Sequence, residues 1–327
     1  LITSALIKNS FNLIVSHSAW KMNNFFSSIN EKKYENKILS NLNKMFYEIS
    51  IKFPNFYYFD IDKEFAKSGM DKCFDNRNWY LSRCRLSTYG MDILSESYFR
   101  ILKKFSHPPK KVLVLDCDNT LWGGVVGEDG ISGIRLGTDG EGMIFKDFQS
   151  QIKLLLKQGI LLCISSKNNE ENVLNIFQNH KEMILKKNDI TSFKVNWDEK
   201  YMNIKKISDE LNLNINSFVF WDDNPIEREK VKLNLPSIDV INCSENVEEW
   251  IDQLNSYDLI RKMKVSKEEL KKNNQYKIRS KFINHSKKFK NEIDYLKSIK
   301  LKAKKIKINN SNVGRASQMC MKTNQFN

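Results

Sequence analysis

The feature that most constrains the fold of this chain is a regular alternation of short apolar runs and amphipathic helical patterns from residue 111 onward. The runs are rich in Val, Ile, Leu and Phe and are short, so each is predicted to be a buried strand. The predicted strands are 112–115, 160–164, 218–221 and 238–241, and the predicted helices are 143–157, 169–177, 200–212 and 225–233. This rhythm predicts an α/β fold, a doubly wound parallel sheet covered by helices on both faces.

Residues 121–141, between the first predicted strand and its helix, contain repeated glycines and short apolar islands. This composition predicts a small hairpin flap and leaves no room for a folded cap domain. The interval from Ser166 to Lys200 is also too short for a large cap after its helix. We therefore expect an open rim that a chain-borne substrate can reach.

Segments on either side of this alternation predict further domains. Upstream, residues 1–107 show helices near 31–49 and 89–104 and a strand at 56–61, and they end at a double proline, Pro108-Pro109, that marks a boundary. Downstream, the chain is Lys-rich and predicted to be helical, and a further segment begins after the helix. The predicted domains are 1–107, an α/β segment; 108–255, the parallel-sheet domain; 256–301, a helical linker; and 302–327, the start of another domain. We expect the chain, which begins on Leu, to be a fragment cut at both ends.

Composition excludes several classes of protein. Six cysteines without a C-x-x-C pair and four scattered histidines do not suggest a zinc site or a disulfide framework, and they fit a reducing cytoplasm. No apolar stretch approaches the ~20 residues that cross a bilayer. The net charge of +14 comes largely from lysines within 261–307, where no pattern of aromatic residues suggests stacking on bases. Nucleic-acid binding is therefore not favoured, and this segment is a solvated helix face or a surface for an acidic protein partner.

Polar side chains follow three of the predicted strands. Asp116 and Asp118 follow the first, Ser165 and Ser166 the second, and the pair Asp222-Asp223 the third. Ligands of open parallel sheets bind outside the carboxyl ends of the strands, so these groups are expected at one rim.

The same set of groups is what phosphoryl transfer through a carboxylate requires: a nucleophilic Asp, Mg²⁺, a hydroxyl and a lysine for the phosphoryl oxygens, and a second acid. Each group also has a local explanation. Asp-x-Asp can begin an Asx-turn, Ser166 and the acidic pair can cap helices, and Lys200 can be a solvated helix residue. The chain order and the strand ends they share favour the site.

The ordered set Asp-x-Asp-x-Thr, Ser, Lys and an acidic pair resembles the haloacid dehalogenase (HAD) superfamily of phosphohydrolases. The resemblance implies that Asp116 is nucleophile and metal ligand and that Asp118 is general acid/base. The other matching residues are Thr120, Ser166, Lys200, Asp222 and Asp223. For Mg²⁺ we expect Asp116, the carbonyl of Asp118 and the acidic pair as ligands, with Asp223 coordinating and Asp222 supporting it.

Longer stretches resemble the FkbH-like family within this superfamily: VLVLDCDNTLWGGVVGEDG, SSKNN, NWDEK, FVFWDDNPIERE and KTNQFN, preceded by DNRNWYLSRCRLSTYG. The resemblance implies transfer of the glyceryl unit of 1,3-bisphosphoglycerate, a phosphorylated three-carbon substrate, to an acyl carrier protein, with removal of the phosphate. It also implies a partial SGNH-hydrolase-like segment upstream and a GNAT-like domain from 302. Because no D-x-x-H stands in 75–90, residues 1–107 are expected to be structural or carrier-binding. Substrate contacts are expected from Ser166, Lys167, Asn168, Lys200 and Trp122.

Members of that family often carry a cysteine where this chain has Ser165, so a thioester intermediate would fall to Cys117 or Cys163. Cys117 is equally explained as a core residue. Two other functions remain open: a HAD phosphatase of nucleic-acid ends or phosphoproteins, and a non-enzymatic receiver-like phosphorylation switch.

Overall fold

The structure is a computed structural model that describes residues 12–16, 34–260, 275–276, 278–280, 282, 298, 305–309, 313 and 317. Contacts divide the chain into two units, Leu1–Tyr276 and Lys277–Asn327, and every element below belongs to the first. Most of the predicted linker (256–301) and of the predicted GNAT-like start (302–327) lies outside the described residues.

The upstream part contains a two-stranded parallel sheet, β1 (Leu13–Ser16) and β2 (Phe56–Phe59). Its helices are α1 (Tyr34–Lys52), α2 (Ile61–Ser68), α3 (Asn76–Ser82) and α4 (Thr88–Ser106). The predicted strand 56–61 is shorter because α2 already begins at Ile61. These elements do not identify an SGNH-like fold, which stays a prediction.

A close contact joins two of these helical segments. A Cβ atom on Gly90, in α4, would lie 2.2 Å from the carbonyl oxygen of Cys73. Only glycine allows the helix to approach the 3₁₀ turn Met70–Cys73 so closely. Further along α4, Arg100 forms a bidentate ion pair with Asp258, whose carboxylate oxygens lie 2.8 to 3.0 Å from the guanidinium nitrogens. The upstream segment is thus bonded to the end of the larger domain.

The larger sheet has five parallel strands in the order β5-β4-β3-β6-β7. They are β3 (Val112–Leu115), β4 (Leu161–Ser166), β5 (Ile190–Val195), β6 (Phe218–Trp221) and β7 (Asp239–Val240). The central strand β3 ends at Leu115, which is in register with Ile164 on one side and Trp221 on the other. Residues that follow these three strands therefore meet at one edge.

Within residues 116–260, helices connect these strands or follow them. They are α5 (Val126–Gly133), α6 (Gly140–Lys157), α7 (Glu170–Asn179), α8 (Lys200–Leu211), α9 (Pro225–Asn234) and α10 (Trp250–Ser256). On one face of β3, Leu113 and Leu115 belong to a hydrophobic core that includes Phe148 of α6. On the other face, Val112 and Val114 belong to a second core that includes residues of α8. The predicted doubly wound α/β sheet is confirmed.

Two details of the prediction were wrong. The edge strand β5 was not predicted, because Ser192 and Lys194 interrupt its apolar pattern. Residues 121–141 are not a hairpin: they contain helix α5, and a single antiparallel bridge between Gly123 and Arg135 closes the segment. The carboxylate of Asp129 accepts a hydrogen bond from the N–H of Val125 (2.8 Å), the residue before this helix, and thereby stabilises its first turn.

In the part of the chain that the structure describes, no helix is both long and apolar enough to cross a lipid bilayer.

Candidate active site

The segment after β3 forms a tight turn over the carboxyl edge of the sheet. The N–H of Asp116 donates to the carbonyl of Trp221 (3.1 Å), and the N–H groups of Thr120 and Leu121 both donate to the carbonyl of Cys117 (3.1 and 2.8 Å). Asn119 adopts a left-handed conformation (φ 52°), which asparagine tolerates better than most residues. The turn brings the side chains of the Asp-x-Asp-x-Thr motif to one place.

Three carboxylates converge beside this turn. Asp116, Asp222 and Asp223 each offer an oxygen atom, and these atoms lie within 4.8 Å of one another. The buried ammonium group of Lys200 lies 2.9 Å from Asp116 Oδ2 and 2.6 Å from Asp222 Oδ2. Burial opposes the charge of Lys200, but the two carboxylates outweigh it and raise its pKa, so the group is a cation. The structure thus brings together four residues that the sequence predicted for one site.

The charges in this cluster do not balance. Burial first, and then repulsion from Asp116, raise the pKa of Asp222 to about 7 and also raise the pKa of Asp223. Asp116 Oδ1 is buried and has no hydrogen-bond partner among the described residues. An orphaned carboxylate oxygen among three acids fits a hard divalent cation, which binds oxygen ligands.

The hydrogen bonds of the acidic pair distinguish its two members. Both oxygens of Asp222 are engaged, one by Lys200 and one by the N–H of Asn224 (2.9 Å). Asp223 accepts a hydrogen bond from the Thr120 hydroxyl through Oδ1 (3.1 Å). This arrangement supports Asp223 as the metal ligand and Asp222 as its neighbour that holds Lys200.

Three donors surround the carboxylate of Asp118. Trp122 Nε1 (2.9 Å) and the N–H of Val126 (3.2 Å) donate to Oδ1, and Asn168 Nδ2 donates to Oδ2 (2.6 Å). Burial nevertheless raises the pKa of Asp118 above its ordinary value, although these donors oppose the shift. A fixed carboxyl group that holds its proton more tightly than in water suits a general acid/base.

The residues predicted to contact substrate fall into two groups. Ser166 is buried at the end of β4, where its carbonyl accepts the N–H of Asn196 (3.1 Å), and Lys200 lies in the acidic cluster. The side chains of the other three bond to residues outside that cluster. Asn168 and Trp122 bond to Asp118, Trp122 is fully buried, and Lys167 is paired with Glu199 (3.1 Å) and Glu227 (3.0 Å). Trp122 has no surface for a substrate, so it positions Asp118 instead.

The two candidate thioester cysteines are both buried. Burial, together with the charges of Asp116 and Asp118, raises the pKa of Cys117 well above the ordinary value for a thiol. Burial raises the pKa of Cys163 to about 12. Because the thiolate is the reactive form, neither environment supports a nucleophilic cysteine.

Two further residues support the site and were not predicted. Gln149 of α6 is fully buried; its Nε2 donates to the carbonyl of Leu121 (2.6 Å), and its Oε1 accepts the N–H groups of Ile184 and Leu185 (3.0 and 3.1 Å). Arg228 of α9 bonds to the backbone of the acidic pair. The signal for Gln149 was a polar residue on an apolar helix face; for Arg228 it was a cation in the first turns of a helix, where acidic residues are preferred.

A doubly wound parallel sheet whose central strand ends in Asp-x-Asp-x-Thr, beside a buried lysine and an acidic pair, defines the class of HAD-type phosphatases. Comparison with protein-family models and with curated proteins found no match. Among solved structures, the chain is similar to the N-terminal part of the protein BF1531 from Bacteroides fragilis, which contains a phosphatase domain and was crystallised with Mg. The two are 31% identical with a TM-score of 0.70, over 80% of this chain and 71% of that one. The chain belongs to the same family as this phosphatase-domain protein.

Proposed function

We propose that this protein is a Mg²⁺-dependent phosphatase in which Asp116 is the nucleophile. The observation that carries the proposal is the buried Oδ1 of Asp116, which has no partner in the described part of the chain and lies within a cluster of three carboxylates and one lysine. The Mg complex of the similar Bacteroides fragilis protein supports the choice of metal. Asp116 and Asp223 would hold the ion, which, when bound, offsets the repulsion between carboxylate and phosphate.

The protein's own residues divide the reaction between them. An oxygen of Asp116 attacks phosphorus and the bond to the leaving oxygen breaks, while the carboxyl of Asp118 gives its proton to that oxygen. Lys200 and Ser166 hold the phosphoryl oxygens. In the second step Asp118, now a carboxylate, takes a proton from water as it attacks the phosphoaspartate, and phosphate leaves.

We propose further that the enzyme is of FkbH type, transferring the glyceryl unit of 1,3-bisphosphoglycerate to an acyl carrier protein. Two features support this finer proposal. The motifs of the sequence resemble that family over 75–327, and the segment between β3 and α6 contains only the short helix α5, which leaves the rim open to a carrier-borne arm. Because both candidate cysteines are buried, we do not assign the acyl group to either of them.

Replacing the nucleophile tests the proposed activity. Asp116→Asn should lower Mg²⁺-dependent release of phosphate from acetyl phosphate by on the order of a thousandfold or more, because the amide cannot attack phosphorus. Asp147→Asn, the same change on the exposed face of α6, is the matched control and should leave the rate unchanged. Circular dichroism checks that both variants fold. An Asp116→Asn protein that releases phosphate at the control rate would contradict the proposal.

Transfer of the glyceryl unit is tested separately. The protein is incubated with 1,3-bisphosphoglycerate and candidate carrier proteins, and the mass of the carrier is measured by mass spectrometry. A glyceryl adduct on the carrier that requires Asp116 supports the FkbH-type reaction. Release of phosphate with an unmodified carrier would reject the transfer and leave the phosphatase in place. Release from phosphoproteins or nucleic-acid ends, with none from acyl phosphates, would favour the alternative substrates.

A further inference from the structure

Two adjacent carboxylates of this site point to the same place, which an extended chain does not allow. Successive side chains of a strand lie on opposite faces of the sheet. Yet Asp222 and Asp223, directly after β6, both have an oxygen within 4.8 Å of the other and of Asp116. The backbone must therefore leave the strand geometry at this pair, and something must hold it there.

Among the described residues, the side chain of Arg228 bonds to both backbone carbonyls of this pair. Arg228 Nη1 donates to the carbonyl of Asp222 (2.8 Å) and to the carbonyl of Asp223 (2.7 Å). The thiol of Cys243 donates to the same carbonyl of Asp222 (3.0 Å), and Arg228 Nη1 lies 3.0 Å from that sulfur. Successive carbonyls alternate in a strand, whereas here two neighbours face one guanidinium group. Aligned carbonyl dipoles repel each other, and a cation between them offsets the repulsion.

The position of Arg228 in its helix is unfavourable in itself. Helix α9 begins at Pro225, so Arg228 is the fourth residue, close to the positive end of the helix dipole, where acidic side chains are stabilising. Among the described residues, no carboxylate lies within ion-pair distance of its guanidinium group to compensate. Its guanidinium group instead bonds to two backbone carbonyls and a thiol. Helix stability does not explain an arginine here, whereas the turn at the acidic pair does.

We propose that Arg228 is a positioning residue that holds the turn at Asp222-Asp223, and thereby sets the affinity of the site for Mg²⁺. Arg228 does not touch the metal. It acts through the two carbonyls, and Cys243 assists it at Asp222. The proposal rests on the metal site of the proposed function, but it can be tested without any substrate.

The test is a calorimetric titration of the whole protein with MgCl₂ in the absence of substrate. Arg228→Gln should weaken Mg²⁺ binding by about 10- to 100-fold, the usual effect of removing a group that orients a metal ligand. Arg228→Lys, which keeps the charge but cannot bridge both carbonyls equally well, should fall between Arg228→Gln and the unaltered protein. Lys232→Gln removes a cation from the same helix, away from the acidic pair, and should bind Mg²⁺ normally.

The outcomes separate this proposal from the proposed function. A folded Arg228→Gln protein that binds Mg²⁺ with unchanged affinity overturns the positioning role. If Arg228→Gln does not fold, Arg228→Lys decides by the same measure: normal affinity with a normal fold overturns the role. If the unaltered protein binds no Mg²⁺, the metal site of the proposed function fails and the positioning role fails with it. If it binds Mg²⁺ and releases no phosphate from any substrate, the activity fails while the effect of Arg228 on affinity still stands.

Discussion

The charges of individual residues explain why this site suits a divalent cation. Three carboxylates share one buried ammonium group, and Lys200 bonds to two of them. A cluster with this excess of negative charge is costly to bury unless a further cation or a proton is present. The raised pKa values of Asp222 and Asp223 express the same imbalance.

For Cys117 we predict that the thiol is dispensable for chemistry. Cys117→Ala should change the rate of phosphate release by no more than about threefold and lower stability by about 1 kcal/mol, because it only removes a buried sulfur atom. Rates of phosphate release measure the first effect and urea unfolding the second, and the mass of the intact protein after incubation with 1,3-bisphosphoglycerate reveals any acyl adduct. An acyl adduct that disappears in Cys117→Ala would restore the cysteine to the mechanism.

The sequence predicted the residues of the site better than their individual contacts. Asp116 and the acidic pair were predicted from their positions after strands, which the parallel sheet converts into proximity, and Lys200 from its order in the motif. Trp122 was expected to contact substrate, but its position four residues after Asp118 places its indole N–H on that carboxylate. A pattern cannot reveal such a contact, because the left-handed turn at Asn119 determines it.

At the scale of elements, a buried side chain of α6 bonds to the short segment between β3 and α6. The side chain of Gln149, in α6, bonds to the carbonyl of Leu121 at the start of that segment and to two N–H groups between α7 and β5. One buried amide therefore connects the turn after β3 to the segment that precedes the edge strand β5. The helix prediction placed Gln149 correctly in α6, but periodicity alone does not reveal which backbone groups a buried amide satisfies.

For this amide we predict a large loss of stability. Gln149→Leu keeps the size of the side chain but removes the partner of three backbone groups, two of them in buried hydrogen bonds, so the free energy of unfolding should fall by about 2 kcal/mol or more. Gln151→Leu, on a half-buried position of the same helix, is the control. Urea unfolding followed by circular dichroism measures the difference. Equal stability of the two variants would show that Gln149 does not join these segments.

At the scale of the whole molecule, stability should depend jointly on pH and on Mg²⁺. Burial and Asp116 raise the pKa of Asp222 to about 7, so between pH ~4 and ~7 the folded state keeps a proton that the unfolded state has lost. The metal-free protein therefore loses stability as pH rises through this range. Mg²⁺ competes with that proton and stabilises the folded state by about 2.7 kcal/mol at a hundred times its Kd.

We accordingly predict that Mg²⁺ raises the melting temperature more at pH 8 than at pH 5.5. Thermal unfolding at both pH values, with MgCl₂ or with EDTA, measures the gain. In Asp223→Ala the gain should be much smaller at either pH, since a ligand is lost. A gain that is the same at both pH values in the unaltered protein would contradict the coupling of metal and proton.

The strand order β5-β4-β3-β6-β7 also determines when the site can form during folding. Strand β3 pairs with β4, the next strand in the chain, but its other neighbour, β6, comes much later, and Thr120 and its partner Asp223 are 103 residues apart in sequence. Contacts of such long range form slowly because closing the intervening loop costs entropy. A chain emerging from the ribosome therefore carries its nucleophile well before its acidic pair. Until β6 pairs with β3, Asp116 has neither Asp222 nor Asp223 beside it. The metal site can therefore form only once β6 has joined the sheet.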